Sequence, residues 1–221
     1  MKEEYLWDIY NPLGYGNRSG RYKTIRQMEF INKHLSSDCE SILDLGGGSG
    51  RFSILLHEKG YKITVVDLNE RAIELCKERS LEDSHCMDFR SFDRVDYDMV
   101  IAIDLFTITP PEDVFQAAYK HLKYQGVFIF SASNKMSWRY KLHLMKKSKT
   151  LNLGEYSLKQ FQELIEHNSF SIKDIMGFFW IPFEGQSNNR MIPFFAFIER
   201  KLQLNKWLKQ SPLLMFACIK D

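Results

Sequence analysis

A glycine-rich run directly after an apolar stretch constrains this chain more than any other feature. Residues 41–45 (SILDL) read as a buried strand, glycine occupies positions 46, 47, 48 and 50, and residues 50–59 have the apolar spacing of a helix. Glycine lets the backbone pass close under a ligand where a Cβ atom would clash. The first turn of the helix points unpaired N–H groups into the same space. The run therefore predicts a strand, a turn and a helix, with a ligand at the turn.

The next apolar run, residues 62–67, ends in the carboxylate of Asp67. An acid about 20 residues beyond a glycine turn, at the tip of the neighbouring strand, is placed to accept both hydroxyl groups of a ribose. Together the turn and the acid predict a site for a nucleoside.

The glycine spacing distinguishes between kinds of nucleotide site. A dinucleotide fold requires Gly-x-Gly-x-x-Gly, but the third position is Arg51 when counted from Gly46 and Ser53 when counted from Gly48. The pattern is instead Asp-x-Gly-x-Gly-x-Gly, beginning at Asp44. Residues 42–50 thereby resemble motif I of the class I S-adenosylmethionine-dependent methyltransferases, and the resemblance extends over roughly residues 40–221.

Strand and helix patterns alternate along the chain, which predicts a parallel sheet covered by helices on both faces. The last two predicted strands have no proper helix pattern between them, so we expect them to pair as an antiparallel hairpin. The fold class is therefore α/β, a doubly wound, Rossmann-like, seven-stranded sheet with an antiparallel last strand and a helical N-terminal cap. We expect one domain over residues 1–221, with the cap at 1–38 and acceptor-side insertions at 134–156 and 177–212. The predicted strands are 41–45, 62–67, 84–87, 97–103, 126–132, 169–176 and 213–219, and the predicted helices are 22–35, 50–59, 69–79, 111–122 and 157–167.

The composition and net charge limit which partners, metal sites and cellular location are expected. The formal net charge of +2 gives no polyelectrolyte character, so a DNA partner is not expected. The four cysteines have no Cys-x-x-Cys spacing, which predicts reduced thiols and no metal site. The acidic start of the chain does not resemble a signal peptide, and no run of ~18 uncharged apolar residues occurs. We expect a soluble, cytoplasmic protein.

The family resemblance implies S-adenosyl-L-methionine as the cofactor and a role for several positions. Asp44 and the backbone of Gly46, Gly47, Gly48 and Gly50 would hold its amino acid end, and Asp67 would accept the ribose hydroxyls. Leu68, Asp88 and Phe89 would contact the adenine, while Ile103, Asp104 and Leu105 would lie beside the methionine part. Asp88 has an alternative role as a helix cap for the residues from Arg90 onward.

An arginine in the N-terminal region resembles the family position that pairs with the methionine carboxylate, because a guanidinium fork suits a carboxylate. Arg26 is the first candidate and Arg21 the second. The alternative for either residue is a solvated charge on a helix.

No catalytic base is evident. Many small-molecule members of the family carry Glu-His shortly after the fourth strand, where this chain has Thr107 and Ile108. An Asn-Pro-Pro-Tyr motif, which methylation of adenine or glutamine nitrogen requires, is also missing. His143 is a weak candidate for a base because it lies in the acceptor region. Methyl transfer from a sulfonium has an excellent leaving group, so positioning of the acceptor can supply much of the acceleration.

Two segments are expected to select the acceptor. Residues 134–149 contain six Lys or Arg and no acid, with apolar residues interleaved. This segment can meet an anionic substrate or an anionic membrane surface, or it can be a solvated helix face. Residues 177–197 are rich in aromatic side chains, which can form core, an acceptor pocket or a dimer contact.

The interpretation that follows is a methyltransferase acting on a small or medium-sized metabolite, with oxygen slightly favoured as the acceptor atom. The acceptor would carry an anionic group and an apolar part. One alternative is a methyltransferase of RNA or another macromolecule that binds through residues 134–149. Another is a non-catalytic protein that binds S-adenosylmethionine as the partner of an enzyme. The sequence leaves the oligomeric state open.

Overall fold

The computed structural model describes residues 16–142 and 156–221. Its strands are β1 (Ser41–Leu45), β2 (Lys62–Asp67), β3 (Ser84–Cys86), β4 (Tyr97–Ala102), β5 (Leu122–Ser133), β6 (Phe170–Phe178) and β7 (Leu213–Lys220). Its α-helices are α1 (Arg18–His34), α2 (Ser53–His57), α3 (Glu70–Glu78), α4 (Pro111–His121), α5 (Trp138–Lys141), α6 (Leu158–His167) and α7 (Ile192–Lys201).

The seven strands of the described residues form one sheet in the order β3-β2-β1-β4-β5-β7-β6. Strands β1 to β5 pair in parallel, and β7 runs antiparallel between β5 and β6. This confirms the predicted doubly wound sheet with an antiparallel end. Because β1 lies between β2 and β4, the strand order reverses beside it, and ligands of such sheets bind at the carboxyl ends of the strands near that reversal.

Alternating residues of the central strands fill two separate cores. Ile42 and Ile101 belong to the cluster on one face of the sheet, and their neighbours Leu43 and Val100 belong to the cluster on the other. This is the two-residue period of a strand that is buried on both faces. The second cluster holds phenylalanine rings in mutual contact, from α4, α6 and the strands. Both faces of the sheet are therefore anchored, and the strand ends are fixed relative to one another.

Helix α1 brings its first turns to the carboxyl edge of the sheet. The Asn17 side chain accepts the Gly20 N–H at 2.7 Å and caps the helix, which begins four residues before the predicted start. The Ser19 N–H donates to the Ser187 carbonyl at 3.0 Å, so the start of α1 is tied to the segment that precedes α7. Within the described residues, the expected N-terminal cap is this helix.

Helix α7 departs from the sequence prediction. Residues 177–212 contain a ten-residue helix, although no proper helix pattern was predicted there. The reason is that α7 lacks a polar outer face, since Phe194 and Phe197 are 52% and 60% exposed. Helical periodicity is recognised by a contrast between an apolar and a polar face, and that contrast is weak here. The antiparallel pairing of β6 with β7 is nevertheless confirmed.

Candidate active site

The glycine turn follows β1 with backbone conformations that only glycine adopts readily. Gly46 and Gly48 have φ angles of 66° and 56°. The Gly46 N–H donates to the Val66 carbonyl at 2.8 Å, which ties the turn to β2. A Cβ atom on Gly46 would also lie 2.7 Å from Cδ1 of Leu105. The turn is therefore held close to the ends of both β2 and β4.

Asp67 lies at the end of β2 and is bonded to the glycine turn. One carboxylate oxygen accepts the Gly48 N–H at 2.8 Å, and the other accepts the Asn69 N–H at 2.8 Å. Burial raises the pKa of Asp67 above its usual value, and the N–H donors of Asn69, Gly48 and Leu68 oppose this shift. The residue stays partly exposed. An oriented and partly exposed carboxylate thus stands beside the turn.

Asp44 lies beneath the turn and is 2% exposed. Its Oδ2 atom accepts the Ser53 hydroxyl at 2.6 Å, which joins β1 to the start of α2. A Cβ atom on Gly47 would lie 2.8 Å from this carboxyl group. Asp44 therefore supports the glycine turn from below, and a role toward a bound ligand stays a prediction.

The residues predicted to contact adenine follow β2 and β3. Leu68 is 71% exposed beside Asp67, so it offers an apolar surface next to the carboxylate. Phe89 is 8% exposed and belongs to the core cluster that includes β4. The Asp88 side chain caps the short helix at Phe89–Ser91 by accepting the Arg90 N–H at 2.9 Å, and it also pairs with the Arg90 guanidinium. Hydrogen bonding from Arg90 lowers the pKa of Asp88. The capping role is thus present, and contact of these three residues with adenine stays a prediction.

Asp104 forms a charged cluster just beyond β4. Its Oδ2 atom lies 2.6 Å from Lys23 Nζ and 3.0 Å from an Arg51 guanidinium nitrogen. Its backbone N–H donates to the Ser131 hydroxyl at 2.8 Å, and its φ of 62° is unusual for a residue other than glycine. Burial alone would raise the pKa of Asp104, but the charges of Lys23 and Arg51 hold it well below its usual value.

The two neighbours of Asp104 are buried on opposite faces of the sheet. Ile103 is 8% exposed in one core cluster, and Leu105 is 5% exposed in the other. Because both neighbours point into the cores, the Asp104 side chain, which is 31% exposed, is left at the sheet edge between them. The structure thereby brings one carboxylate and two cations to the ends of β1 and β4.

Arg26, the first candidate for the methionine carboxylate, is 9% exposed and faces another part of the molecule. Its guanidinium pairs with Glu29, approaches Glu199 of α7 at 3.9 Å and contacts the Met176 sulfur at 3.6 Å. Arg21 is exposed on the same helix. The cation of α1 that reaches Asp104 is Lys23. The assignment of a carboxylate ligand to Arg26 or Arg21 stays a prediction.

The described parts of the two segments that are predicted to select the acceptor meet at the same edge of the sheet. Arg139 of α5 is 5% exposed, and its guanidinium donates to the Ile181 carbonyl at 3.2 Å. The aromatic residues of segment 177–197 differ in burial: Phe178 and Phe179 are buried, whereas Phe194 and Phe197 are exposed. His143 and the rest of residues 143–155 lie outside the described residues. None of the five described histidines forms a hydrogen bond to Asp67, Asp104 or Arg139.

Sequence reasoning missed three residues of the charged cluster: Lys23, Arg51 and Ser131. Arg51 directly follows the glycine turn, and Ser131 is the one polar residue of the predicted strand 126–132, so both carried a weak signal. Lys23 was one of several cations on a helix and had no distinguishing feature. The described residues contain no group of three or more His, Cys, Asp or Glu side chains that could hold a metal ion. None of their helices has the length and apolar character needed to cross a bilayer.

Residues 42–126 match the family model described as methyltransferase domain. Ubiquinone biosynthesis O-methyltransferase of Hydrogenovibrio crunogenus is 28% identical over 136 residues, which cover 58% of this chain and 56% of that protein. The protein of the same name from Pseudomonas entomophila is 24% identical over 174 residues, covering 71% and 75%. The chain thus spans little more than half the length of the first of these relatives.

Solved structures with the same fold include two methyltransferases. The S-adenosylmethionine dependent methyltransferase of Mesorhizobium loti has a TM-score of 0.64 at 15% identity, covering 88% of this chain and 97% of that one. Geranyl diphosphate C-methyltransferase of Streptomyces coelicolor has a TM-score of 0.64 at 16% identity, covering 89% and 79%. The chain thus matches a methyltransferase domain over residues 42–126, and its sheet that ends antiparallel and its glycine turn bonded to Asp67 agree with the resemblance to the class I S-adenosylmethionine-dependent methyltransferases.

Proposed function

We propose that this chain transfers a methyl group from S-adenosylmethionine to an oxygen atom of a small or medium-sized metabolite. The observation that carries the proposal is the pair of charged groups at the ends of β2 and β4, on either side of β1. Asp67 presents a carboxylate beside the glycine turn, and Asp104, Lys23 and Arg51 cluster beyond β4. A ribose requires the first group, and the ammonium and carboxylate of a methionine moiety require charges of both signs.

The residues present fit this cofactor. Asp67 would accept the ribose hydroxyls, and the exposed side chain of Leu68 would cover the adenine. Lys23 and Arg51 would attract the methionine carboxylate, while Asp104 would attract the ammonium group. The bound cofactor supplies an electrophilic methyl group on a sulfonium. The chain's own contribution is to hold the acceptor in line with that group, because positioning alone can supply several kcal/mol of the barrier reduction, up to about 7–11.

Oxygen is favoured as the acceptor atom by the relatives named ubiquinone biosynthesis O-methyltransferase. The aromatic rings near the end of β6 favour an acceptor with an apolar part, since Tyr22 and Phe179 stack with their centroids 6.2 Å apart. A small acceptor also agrees with the formal net charge of +2, which gives little attraction for nucleic acid.

The test combines binding and turnover. Calorimetry should show binding of S-adenosylhomocysteine and no binding of NAD. Incubation with methyl-labelled S-adenosylmethionine and a fractionated metabolite extract should move the label into a small molecule. Binding of NAD alone would overturn the site assignment. Binding of S-adenosylhomocysteine without transfer to any fraction would instead favour a non-catalytic partner, and label in an RNA fraction would favour the macromolecular alternative.

We also propose that α7 contacts an anionic membrane surface. Its exposed Phe194 and Phe197 side chains stand beside Arg200 and Lys201, which are exposed as well. The only carboxylate among residues 190–209, Glu199, is 1% exposed, and although Arg200 pairs with Glu29 of α1, the segment's own exposed charges, which include Lys201, are positive. Aromatic side chains with flanking cations are typical of helices that lie in a lipid interface.

Vesicle flotation tests this contact. The parent chain should float with vesicles that contain anionic phosphatidylglycerol and remain in solution with purely zwitterionic ones. Replacing both Phe194 and Phe197 with Ser should abolish flotation, whereas Tyr124→Ser, which removes a 76% exposed ring elsewhere, should not. Equal flotation of the double variant would overturn the proposal. A dimer in light scattering that the double variant loses would assign the face to a second copy instead.

A further inference from the structure

Arg139 is the one cation of residues 134–142 that the fold turns inward. It is 5% exposed, whereas Lys141 is exposed and Lys135 is partly exposed. The buried Ser137 hydroxyl caps α5 by accepting the Tyr140 N–H at 3.2 Å. The buried Asn134 amide donates to three backbone carbonyls, including that of Ser211 at 3.0 Å. The end of β5 and the start of α5 are therefore fixed, and the inward position of Arg139 is built into the fold.

The surroundings of the Arg139 guanidinium are aromatic, and no acid of residues 16–142 or 156–221 forms an ion pair with it. It lies 5.3 Å from the ring centroid of Phe179 and 6.0 Å from that of Trp138. One terminal nitrogen donates to the Ile181 carbonyl, but the buried Nε atom has no acceptor. Burial lowers the pKa of Arg139, and the charge of Glu184 opposes this only in part. Burying a cation without a paired carboxylate costs several kcal/mol, which the Ile181 carbonyl and the two rings offset only in part, so a compensating anionic ligand fits this position.

Two further buried donors lie on the segments that contact each other here. The indole N–H groups of Trp138 and Trp180 have no hydrogen-bond acceptor. Trp180 directly precedes Ile181, whose carbonyl accepts the hydrogen bond from Arg139. The backbone N–H of Trp180 donates to the Glu199 carboxylate at 2.8 Å. Buried polar groups are nearly always hydrogen-bonded in folded proteins. The Arg139 guanidinium lies 6.0 Å from the Trp138 ring, so the unused donors of these two residues match a ligand that brings oxygen acceptors.

We propose that Arg139 binds a carboxylate of the methyl acceptor, with Phe179 against the apolar part of the same molecule. The inference rests on the proposed function and deepens it by naming the substrate class. A single guanidinium with a neutral indole donor balances the single charge of a carboxylate, whereas a phosphate monoester near neutral pH would retain about one further negative charge.

The location agrees with an acceptor site next to the methyl donor. Phe179 stacks on Tyr22 of α1, and the adjacent residue Lys23 bonds Asp104 at the end of β4. Contacts through Phe179, Tyr22 and the adjacent Lys23 thus link Arg139 to the cluster assigned to the methionine moiety. A carboxylate held by Arg139 would leave the other end of the acceptor on the side of that cluster.

The experiment titrates acids and matched esters against protein saturated with S-adenosylhomocysteine. The probes are 3,4-dihydroxybenzoate, 4-hydroxycinnamate and octanoate, each with its methyl ester, and phenyl phosphate; calorimetry gives the affinities. At least one acid should bind the parent chain roughly tenfold or more tightly than its ester, because hydrogen bonds to a charged group have this strength. Arg139→Gln should remove the preference, Arg139→Lys should retain part of it, and Lys141→Gln, the matched exposed control, should leave it unchanged.

Every outcome of this titration supports or contradicts the assignment of a carboxylate to Arg139. Equal affinity of every acid and its ester in the parent chain would overturn the proposal, as would a preference that persists in Arg139→Gln. Tighter binding of phenyl phosphate than of every acid would overturn the carboxylate assignment. Binding of S-adenosylhomocysteine is measured first in every variant, so failure of the proposed function is recognised separately. Thermal unfolding adds a second readout: a purely structural Arg139 predicts a lower Tm for Arg139→Gln, whereas a ligand-binding Arg139 predicts an equal or higher one.

Discussion

Lys23 and Asp104 form an ion pair of 2.6 Å across 81 positions of sequence. This contact joins the second turn of α1 to the carboxyl end of β4. Asp104 is held in place by the Ser131 hydroxyl, which accepts its backbone N–H and also donates to its carboxylate. The N-terminal helix is thereby anchored to the strand ends where the cofactor is expected to bind.

A double-mutant cycle on Lys23→Met and Asp104→Asn measures this anchor. We expect each single variant to lose about 1–3 kcal/mol of the free energy of unfolding, because each leaves an opposite charge poorly paired. We include the lower part of this range because the Asp104 side chain is 31% exposed, and solvent weakens an exposed ion pair. The double variant should lose less than the sum of the two in urea unfolding. Strictly additive losses would show that the two residues do not interact in solution.

Asp67→Ala should weaken binding of S-adenosylhomocysteine by about 1.5–3 kcal/mol, the range for hydrogen bonds to a charged group. Asp93→Ala removes a carboxylate with 93% exposure and serves as the control that leaves binding unchanged. Calorimetry measures the affinity of both variants for S-adenosylhomocysteine. An equal affinity of the Asp67 variant and the parent chain would exclude a ribose contact at this residue.

The pH dependence of the same binding follows from the burial of Asp67, which raises its pKa above the usual 3.8. The carboxylate must be charged to accept both ribose hydroxyls. The affinity for S-adenosylhomocysteine should therefore be constant near neutral pH and should fall on acidification, beginning at a higher pH than for an ordinary aspartate. Titrations at several pH values check this, and the dependence should vanish in Asp67→Ala.

Gly47→Ala should destabilise the fold by about 1–3 kcal/mol through overpacking. The new Cβ atom would lie 2.8 Å from the Asp44 carboxyl group and from Cγ1 of Val65. Gly185→Ala is the matched control, since nothing lies within 4 Å of its Cβ position. Thermal unfolding of the two variants should separate clearly. A Gly47 variant as stable as the control would mean that the turn tolerates a side chain and that glycine is required there only by the ligand.

Acid should remove the stabilisation that Asp98 provides. Burial of Asp98 is outweighed by hydrogen bonds from Lys123, from the backbone N–H groups of Ser41 and Glu40, and from the Ser41 hydroxyl, so its pKa lies well below the usual value. A lowered pKa in the folded state contributes stability above the unfolded pKa of ~3.9 and loses it as the pH falls further. Asp98→Asn should therefore lower the Tm at pH 7, and the difference from the parent chain should shrink by pH 3. A constant difference across this range would contradict the assignment.

Most of the sheet could be predicted from the sequence, because its strands are buried runs separated by helices of clear periodicity. The antiparallel end could be predicted as well, since residues 169–219 lack a crossover pattern of the usual kind. Helix α7 could not, because Phe194 and Phe197 occupy outward positions where a polar contrast is normally found. The signal for a helix is periodicity of burial, and this segment presents apolar side chains on both faces.

The sequence by itself determined the glycine turn and Asp67, because the chemistry of a strand, a tight turn and a carboxylate depends on residues close together in the chain. Only the tertiary structure decided which cations lie beside Asp104 at the end of β4. Arg26 and Lys23 are three positions apart on α1, yet packing directs Arg26 toward Glu199 and Lys23 toward Asp104. The same holds for Arg139, which the sequence groups with solvated lysines and the fold buries. Which charge is turned inward depends on contacts between distant segments, and a local pattern does not contain that information.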